Sequence, residues 1–560
     1  MKLGKINQEI TVADQLLATD LEAVAAQGFR SVFCHRPDGE GADQPNFQEI
    51  ETVAKVLGLH AVYLPVTSGK ITDAEVRSFA EAFAAAPKPV MAYCRSGMRA
   101  ITLWSLQAAG KVPLSELLLF GKQAGYDLSG LSLRLVSGGQ SKSVTQQSHQ
   151  IVIVGAGAAG IAVASSLLAR SPDLDIAIID PAETHYYQPG WTLVGGGVFD
   201  AAYTVKTMAS VIPNGVKWIK AAVAGFEPQS DRVILEGCQT VHYEKLIVCP
   251  GIKLHWGGVE GLIETLGRNG VTSNYRYDLA PYTWELVSQF KGGKAVFTQP
   301  PMPIKCAGAP QKAMYLSADH WWRSGLLSKV EIDFYNAGAV LFGIKEYVPA
   351  LMAYIKKYGT QLHFNHRLTK VDGDHKKVWF ARTLEDGSQE TIETDFDMLH
   401  VVPPQQAPDF IRASALVDGA GCIDVSPDTL QHKVYPNIYA LGDAANSPNA
   451  KTAAAARKQA PVVATNVLFD LKLDNRRAAY DGYGSCPLTV ERGKVVLAEF
   501  GYGGRLLPSF PNWLINGQQP SRLAWMLKER LLPPVYWKGM LKGHEWLAQP
   551  QLLQQSQEHV

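Results

Sequence analysis

Residues 151–169 read IVIVGAGAAGIAVASSLLA. The run is long and apolar enough to suggest a membrane span, yet four β-favouring residues followed by glycines argue for a strand, a tight turn and a helix. Gly155, Gly157 and Gly160 keep the spacing G-x-G-x-x-G between the strand QIVIV and the helix IAVASSLLAR. Asp180 closes the next apolar run, IAIID, twenty residues after Gly160. The first glycine permits the turn, the second lets backbone approach a pyrophosphate at a helix N-terminus, and the third lets helix and strand pack closely. With an acid placed to meet ribose hydroxyls, the set predicts a dinucleotide-binding βαβ unit.

Further strands follow this unit: KLIVCPG from 245, KAVFTQP from 294, VEIDFYNA from 330 and NIYALGD from 437. They predict an α/β fold in which residues 150–485 form a flavoprotein of two interleaved Rossmann-like halves. Asp443, after a strand and a glycine and before a helix-competent segment, resembles the second flavin motif of two-dinucleotide flavoproteins, where that residue holds the ribityl chain. KLIVCPG resembles their apolar strand ending in ATG, so FAD is the expected cofactor. Lys451, at the start of a predicted helix, is suited to stabilise the anion a reduced flavin develops. A hydride-accepting flavoprotein needs a second glycine-rich turn after KAVFTQ, but Gln299–Cys306 reads QPPMPIKC. Prolines lack the N–H donors that would cradle a pyrophosphate, so NADH is disfavoured as reductant.

Upstream, residues 1–136 alternate helical patterns with the apolar runs SVFCH, HAVYLPV and KPVMAYC, a small α/β domain. Residues 137–149, SGGQSKSVTQQSH, read as a polar linker. Within the domain Cys94-Arg-Ser-Gly-Met-Arg99 follows a strand and precedes a helix. A thiolate in such a turn, ringed by N–H groups and faced by Arg99, is stabilised as an anion and can cradle another.

The 560 residues are 46% hydrophobic and 19% charged, which excludes disorder as the main state. Fifty-three basic against 52 acidic side chains leave +1, with no overall pull toward nucleic acid. The seven cysteines include no close pair, so no disulfide scaffold or metal site is expected. The start MKLGKINQEI carries neither a signal nor a transit pattern, which predicts a cytoplasmic-facing chain.

Four stretches, HYYQPGWTLVGGG (185–197), KCAGAPQKAMYLSADHWW (305–322), ALGDAANSPNAKTAAAA (440–456) and YDGYGSCPL (480–488), resemble sulfide:quinone oxidoreductases of the mitochondrial, or type II, kind. The resemblance covers Gln150 to the C-terminus. It implies two redox cysteines over the flavin, falling on Cys306 and Cys486, and flavin contacts at Ala158, Ala159, Asp180, Gln188, Val223 and Lys451. It implies hydrosulfide as reductant, a membrane quinone as oxidant, and a sulfane-sulfur acceptor such as glutathione. Ala444 departs from the cysteine the family often has there. Lys305 is expected to lower the Cys306 pKa if it points the same way.

Residues 486–560 hold Trp513, Trp525, Trp537 and Trp546 with leucines, methionines and interleaved Lys and Arg. This suits a peripheral, monotopic segment lying in a membrane interface; a hydrophobic lid or oligomer contact is the alternative. The N-terminal stretches VFCHRPDGEG, LPVTSGKITDAEV and AYCRSGMR resemble the phosphatase-like domain of β-lactamase-hydrolase-like proteins, related to tyrosine phosphatases and rhodaneses. Only four residues separate Cys94 from Arg99, a rhodanese-like loop size that favours sulfur transfer at Cys94. An independent phosphatase or an inert docking module remains open there. For the large portion the alternatives are a flavin-bearing protein without turnover or an NAD(P)H-linked reductase. The sequence leaves the oligomeric state open.

Overall fold

A computed structural model describes residues 2–42, 44–140 and 145–553. The chain forms two compact units, one of residues 1–149, 221–243 and 409–417 and the other of 150–220, 244–408 and 418–560.

In the first unit the sheet order is Leu3–Lys5, Ile10–Ala13, Val90–Tyr93, Ser31–Cys34, His60–Tyr63. The outer pair Leu3–Lys5 and Ile10–Ala13 is antiparallel and every other pairing is parallel. Alternation along these strands feeds two cores. Val12, Phe33 and Ala92 pack with Phe79 and Ile101 on one face, while Ala13, Val32, Met91 and Tyr93 pack with Leu21 and Ile50 on the other. The three strands expected from sequence are present; the two N-terminal strands were not legible, being short and flanked by polar residues. The hairpin Val223–Glu227 and Arg232–Leu235 also belongs to this unit and places Ala224 and Ile234 in its core.

The segment expected to be a linker, 137–149, contains regular structure. Gly139 N–H closes the preceding helix on Arg134 O at 2.9 Å, and the strand Thr145–Val154 already begins at Thr145. Residues 141–144 lie outside the described residues.

The second unit holds two parallel sheets. In one, Val216–Ile219, Ile176–Ile179 and Ile151–Val154 run side by side, and Leu246–Val248 pairs with Ile438–Ala440. In the other the order is Val271–Thr272, Met398–His400, Gly293–Gln299, Val330–Asn336, Gln361–Phe364, parallel throughout. Every strand expected in this region lies in one of these sheets. The hairpin Gly484–Glu491 and Lys494–Phe500 packs Cys486, Leu488 and Val490 into the same core as Phe297, Phe334 and Tyr315. A boundary at residue 485 therefore cuts through a strand, and Cys486 is part of the flavoprotein core. Among the described residues no helix is long and apolar enough to cross a membrane.

Candidate active site

The glycine turn has the geometry its spacing predicts. Gly155 has φ +99°, and a Cβ there would lie 2.7 Å from Cys249 O. At Gly160 a Cβ would lie 1.9 Å from Gly155 O, the close approach of helix Ala158–Arg170 to its strand. At Gly157 nothing lies within 4 Å of that position, so backbone is open at the helix N-terminus. Ala158 and Ala159 form the first helical turn. Asp180 braces the turn, Oδ2 accepting from Ala156 N–H at 2.7 Å and Oδ1 from Ala182 N–H at 2.8 Å, and each oxygen keeps a lone pair for a hydroxyl.

Around the second motif, Gly442 N–H donates to Gln459 Oε1 at 2.8 Å. The carboxylate of Asp443 has no hydrogen-bond partner among the described residues, and burial holds its pKa above the usual carboxylate range. Lys451 is buried, and its Nζ donates to Asp443 O and Ala445 O, both at 2.8 Å, fixing the turn that presents Asp443. An open helix N-terminus, a glycine cradle and an unpartnered carboxylate fit a dinucleotide cofactor. Gln188 is exposed and accepts from Lys305 Nζ at 2.7 Å. Val223 lies in the first unit, on the strand Val223–Glu227, where it pairs with Leu235.

Cys306 and Cys486, 180 residues apart, bring their sulfurs to 3.7 Å. Both are free thiols. Cys306 follows the proline loop after strand Gly293–Gln299 and precedes helix Ala309–Arg323. Its backbone is left-handed, φ +51°, a conformation most side chains avoid. Three bonds hold it there: Cys306 N–H to Lys451 O at 2.8 Å, Ala309 N–H to Cys306 O at 2.7 Å, and Tyr275 O–H to Cys306 O at 3.2 Å. Gly308 gives Cys486 room, since a Cβ there would sit 2.5 Å from its sulfur.

Two lysines that the sequence reading did not place at this site set the charge. Lys312, 4% exposed, donates from Nζ to Cys306 Sγ at 3.1 Å. Lys528, 5% exposed, donates to Pro487 O at 3.0 Å, beside Cys486. The Cys486 thiol, with the Lys312 and then the Lys528 charge, holds Cys306 well below the usual thiol range against the pull of burial. Cys486, facing that thiolate and buried, is held well above it. Burial would lower Lys312, but the two sulfurs hold it above its usual value; Lys528, buried near the Lys312 charge, is held well below. Lys305, the expected influence, points away to Gln188, and burial pushes it down to about 8. A signal for Lys312 was present: a lone lysine in APQKAMYL, among residues that otherwise bury.

In the first unit, Cys94 Sγ accepts from Gly97 N–H at 3.2 Å at the start of helix Met98–Ala108. Gly97 has φ +86°, and the loop is pinned by Tyr126 O–H donating to Ser96 O at 3.0 Å. Arg99 is buried against the same loop, and both its terminal nitrogens donate to Glu40, each at 2.8 Å. Asp73 stands in the first turn of Asp73–Ala85, where it pairs with Arg134 at 2.8 Å.

The C-terminal tryptophans divide. Trp525 and Trp537 are buried, the first donating to Glu529 Oε2 at 3.0 Å, whereas Trp513 and Trp546 are exposed. Helical residues 522–542 expose Leu523, Met526 and Leu531 together with Arg522, Arg530 and Lys538. Among the described residues no cluster of three or more His, Cys, Asp or Glu could hold a metal.

Comparison with known proteins agrees in outline. The family model described as "Beta-lactamase hydrolase-like protein, phosphatase-like domain" matches residues 2–111, and that described as "Pyridine nucleotide-disulphide oxidoreductase" matches 149–281. "Sulfide:quinone oxidoreductase, mitochondrial" of Dictyostelium discoideum is 41% identical over 408 residues, 72% of this chain and 87% of that protein. The "Beta-lactamase hydrolase-like protein" of Agrobacterium fabrum is 38% identical over 130 residues, 23% of this chain and 30% of that one. The X-ray structure of the sulfide:quinone oxidoreductase from Aquifex aeolicus matches with a TM-score of 0.60 at 18% identity, over 71% of this chain and 92% of that chain. That likeness is one of fold.

Proposed function

This chain belongs to the sulfide:quinone oxidoreductase family, and on that premise we propose that it oxidises hydrosulfide at the Cys306–Cys486 pair, with FAD, and passes the electrons to a membrane quinone. The observation that carries the reading is the pair itself: Cys306 Sγ and Cys486 Sγ lie 3.7 Å from each other, and the Lys312 ammonium rests on Cys306 Sγ at 3.1 Å. In the oxidised enzyme hydrosulfide attacks the Cys486 sulfur of a disulfide. The new bond makes Cys486–S–SH, the old S–S bond breaks, and its electron pair leaves on Cys306 as thiolate. Exchange is faster when the leaving thiol has the lower pKa, and the Cys486 hydrogen bond together with the Lys312 charge gives that role to Cys306. A thiolate acceptor such as glutathione then takes the outer sulfur as its own persulfide and leaves Cys486 as thiolate. FAD, when bound, supplies the two-electron sink that returns the dithiol to the disulfide.

Gly155, Gly157, Gly160, Ala158, Ala159 and Asp180 would hold the pyrophosphate and ribose end, and Asp443 the ribityl chain, with Lys451 keeping that turn in place. Gln188 and Val223 are further proposed contacts, from the family resemblance. NADH is not the reductant in this reading, because the turn after Gly293–Gln299 offers prolines in place of consecutive N–H donors. The exposed apolar and basic side chains of 522–542, with Trp513, would rest in a membrane interface and reach the quinone there, giving peripheral attachment. Cys94 accepts the sulfane sulfur, directly or through glutathione, on a loop whose size and Cys94–Gly97 hydrogen bond suit a small anion.

The test is sulfide-dependent reduction of a short-chain quinone by the purified protein, with and without glutathione. Turnover that rises with glutathione and is lost in Cys306→Ser and Cys486→Ser is expected. Unchanged turnover in either variant refutes the reading.

A further inference from the structure

The Cys94 site already contains the counter-charge that a substrate anion would normally supply. Arg99 is 5% exposed and donates from Nη1 to Glu40 Oε1 and from Nη2 to Glu40 Oε2, both at 2.8 Å, with Nη1 also on Val66 O at 3.1 Å. Arg36, 6% exposed, donates from Nε to the same carboxylate at 2.8 Å and from Nη1 to Gln15 Oε1 at 2.8 Å. Arg99 first, then Arg36, hold Glu40 down to about 2, so it is an anion throughout the physiological range. With Cys94 in its reactive thiolate form, two guanidiniums therefore face two negative charges before anything enters. The remaining attraction for an incoming anion comes from the loop N–H groups, the N-terminus of Met98–Ala108 and the exposed Arg95 of the loop. That is enough to steady a single charge. A dianion must either displace a doubly held carboxylate or sit beside it uncompensated.

We infer that Glu40 is the charge-selecting residue of the Cys94 site, admitting a persulfide, whose reacting end carries at most one charge, and turning away the dianions thiosulfate and phosphate monoester. This rests on the reading of Cys94 as a sulfane-sulfur acceptor and names its substrate class. In the step, the Cys94 thiolate attacks the outer sulfur of RSSH. The Cys94–S bond forms, the S–S bond of RSSH breaks, RS⁻ leaves with the electron pair, and the proton stays on the new Cys94 persulfide. Glu40 touches none of the reacting atoms; it acts through Arg99.

The experiment uses the full chain with Cys306→Ser and Cys486→Ser, so that loading at Cys94 is read alone by mass. Glutathione persulfide, thiosulfate and p-nitrophenyl phosphate are compared in this background, in Glu40→Gln and in Glu40→Asp, with thermal unfolding recorded for each. The expected result is loading from the persulfide and little reaction with either dianion. Glu40→Gln should raise the rate with thiosulfate or the aryl phosphate at least tenfold relative to the persulfide, and Glu40→Asp should restore discrimination. Intact persulfide loading with an unchanged dianion ratio in Glu40→Gln overturns the inference and leaves the sulfur-acceptor reading standing. Loss of persulfide loading in both Glu40 variants, with unfolding unchanged, makes Glu40 a positioning residue and also overturns it. No loading of Cys94 in the Glu40-intact chain refutes the underlying reading itself.

Discussion

Two thiols of the same kind, 3.7 Å apart, are made chemically different by the hydrogen bond between them and by the Lys312 ammonium on Cys306. Lys312→Met removes that charge while keeping much of the apolar stem. A hydrogen bond to a charged group contributes about 1.5–3 kcal/mol, so the rate of sulfide oxidation should fall roughly 10- to 100-fold. Because the Lys312 charge helps hold the Cys306 thiol below its usual range, its loss must move that titration upward. The pH dependence of alkylation of the reduced protein, followed at Cys306, reads this directly; an unshifted profile removes Lys312 from the account. The cysteines themselves were legible in the sequence because KCAGAPQK and SCPL are distinctive stretches. Lys305 drew attention by adjacency, yet its neighbour's left-handed backbone turns the two side chains apart, and the contact falls six residues along, on the helix. Lys528 was counted with a basic surface, but its amine is buried against Pro487 O.

At the scale of elements, the strand–turn–helix of residues 151–170 was legible down to single glycines, since each has a separate steric duty. Those duties predict different failures. Gly160→Ala drives a methyl group to 1.9 Å from Gly155 O, so helix and strand must part, at about 1–3 kcal/mol in a denaturant melt, with flavin lost as well. Gly157→Ala meets no protein atom within 4 Å and has ordinary φ, −72°, so the melt of the flavin-free protein should be nearly unchanged while flavin content drops. Equal behaviour of the two variants would contradict the assignment of the open position to a cofactor. Which strands share a core was less legible. The pattern of Val223–Glu227 and Arg232–Leu235 marks a hairpin, but nothing local shows that Ala224 and Ile234 pack with Ile101 and Phe79. Cys486 was placed in a terminal region for the same reason: alternation along Gly484–Glu491 reveals a strand, not the helix it packs against.

For the whole molecule, electron flow must run from a water-soluble reductant to a lipid-soluble oxidant. Sulfide added anaerobically should bleach the flavin band, and NADH should leave it unchanged, because the second sheet presents prolines where a nicotinamide cofactor would be held. Bleaching by NADH would favour the reductase alternative. The lipid-facing assignment rests on Leu523, Met526 and Leu531 standing exposed beside Arg522, Arg530 and Lys538. Leu523→Ser with Leu531→Ser should weaken co-sedimentation with anionic vesicles by roughly tenfold or more, since each buried leucine contributes about 1.5–3 kcal/mol. Unaltered sedimentation would place the attachment elsewhere. The central claim, that hydrosulfide enters at Cys486 and Cys306 leaves as the thiolate, is tested most directly by mixing the oxidised protein with one equivalent of sulfide and no quinone or acceptor. Rapid alkylation and peptide mass analysis should then find the Cys486 peptide heavier by one sulfur atom and Cys306 alkylated as a free thiol. Sulfur retained on Cys306, or on neither cysteine, would contradict the account.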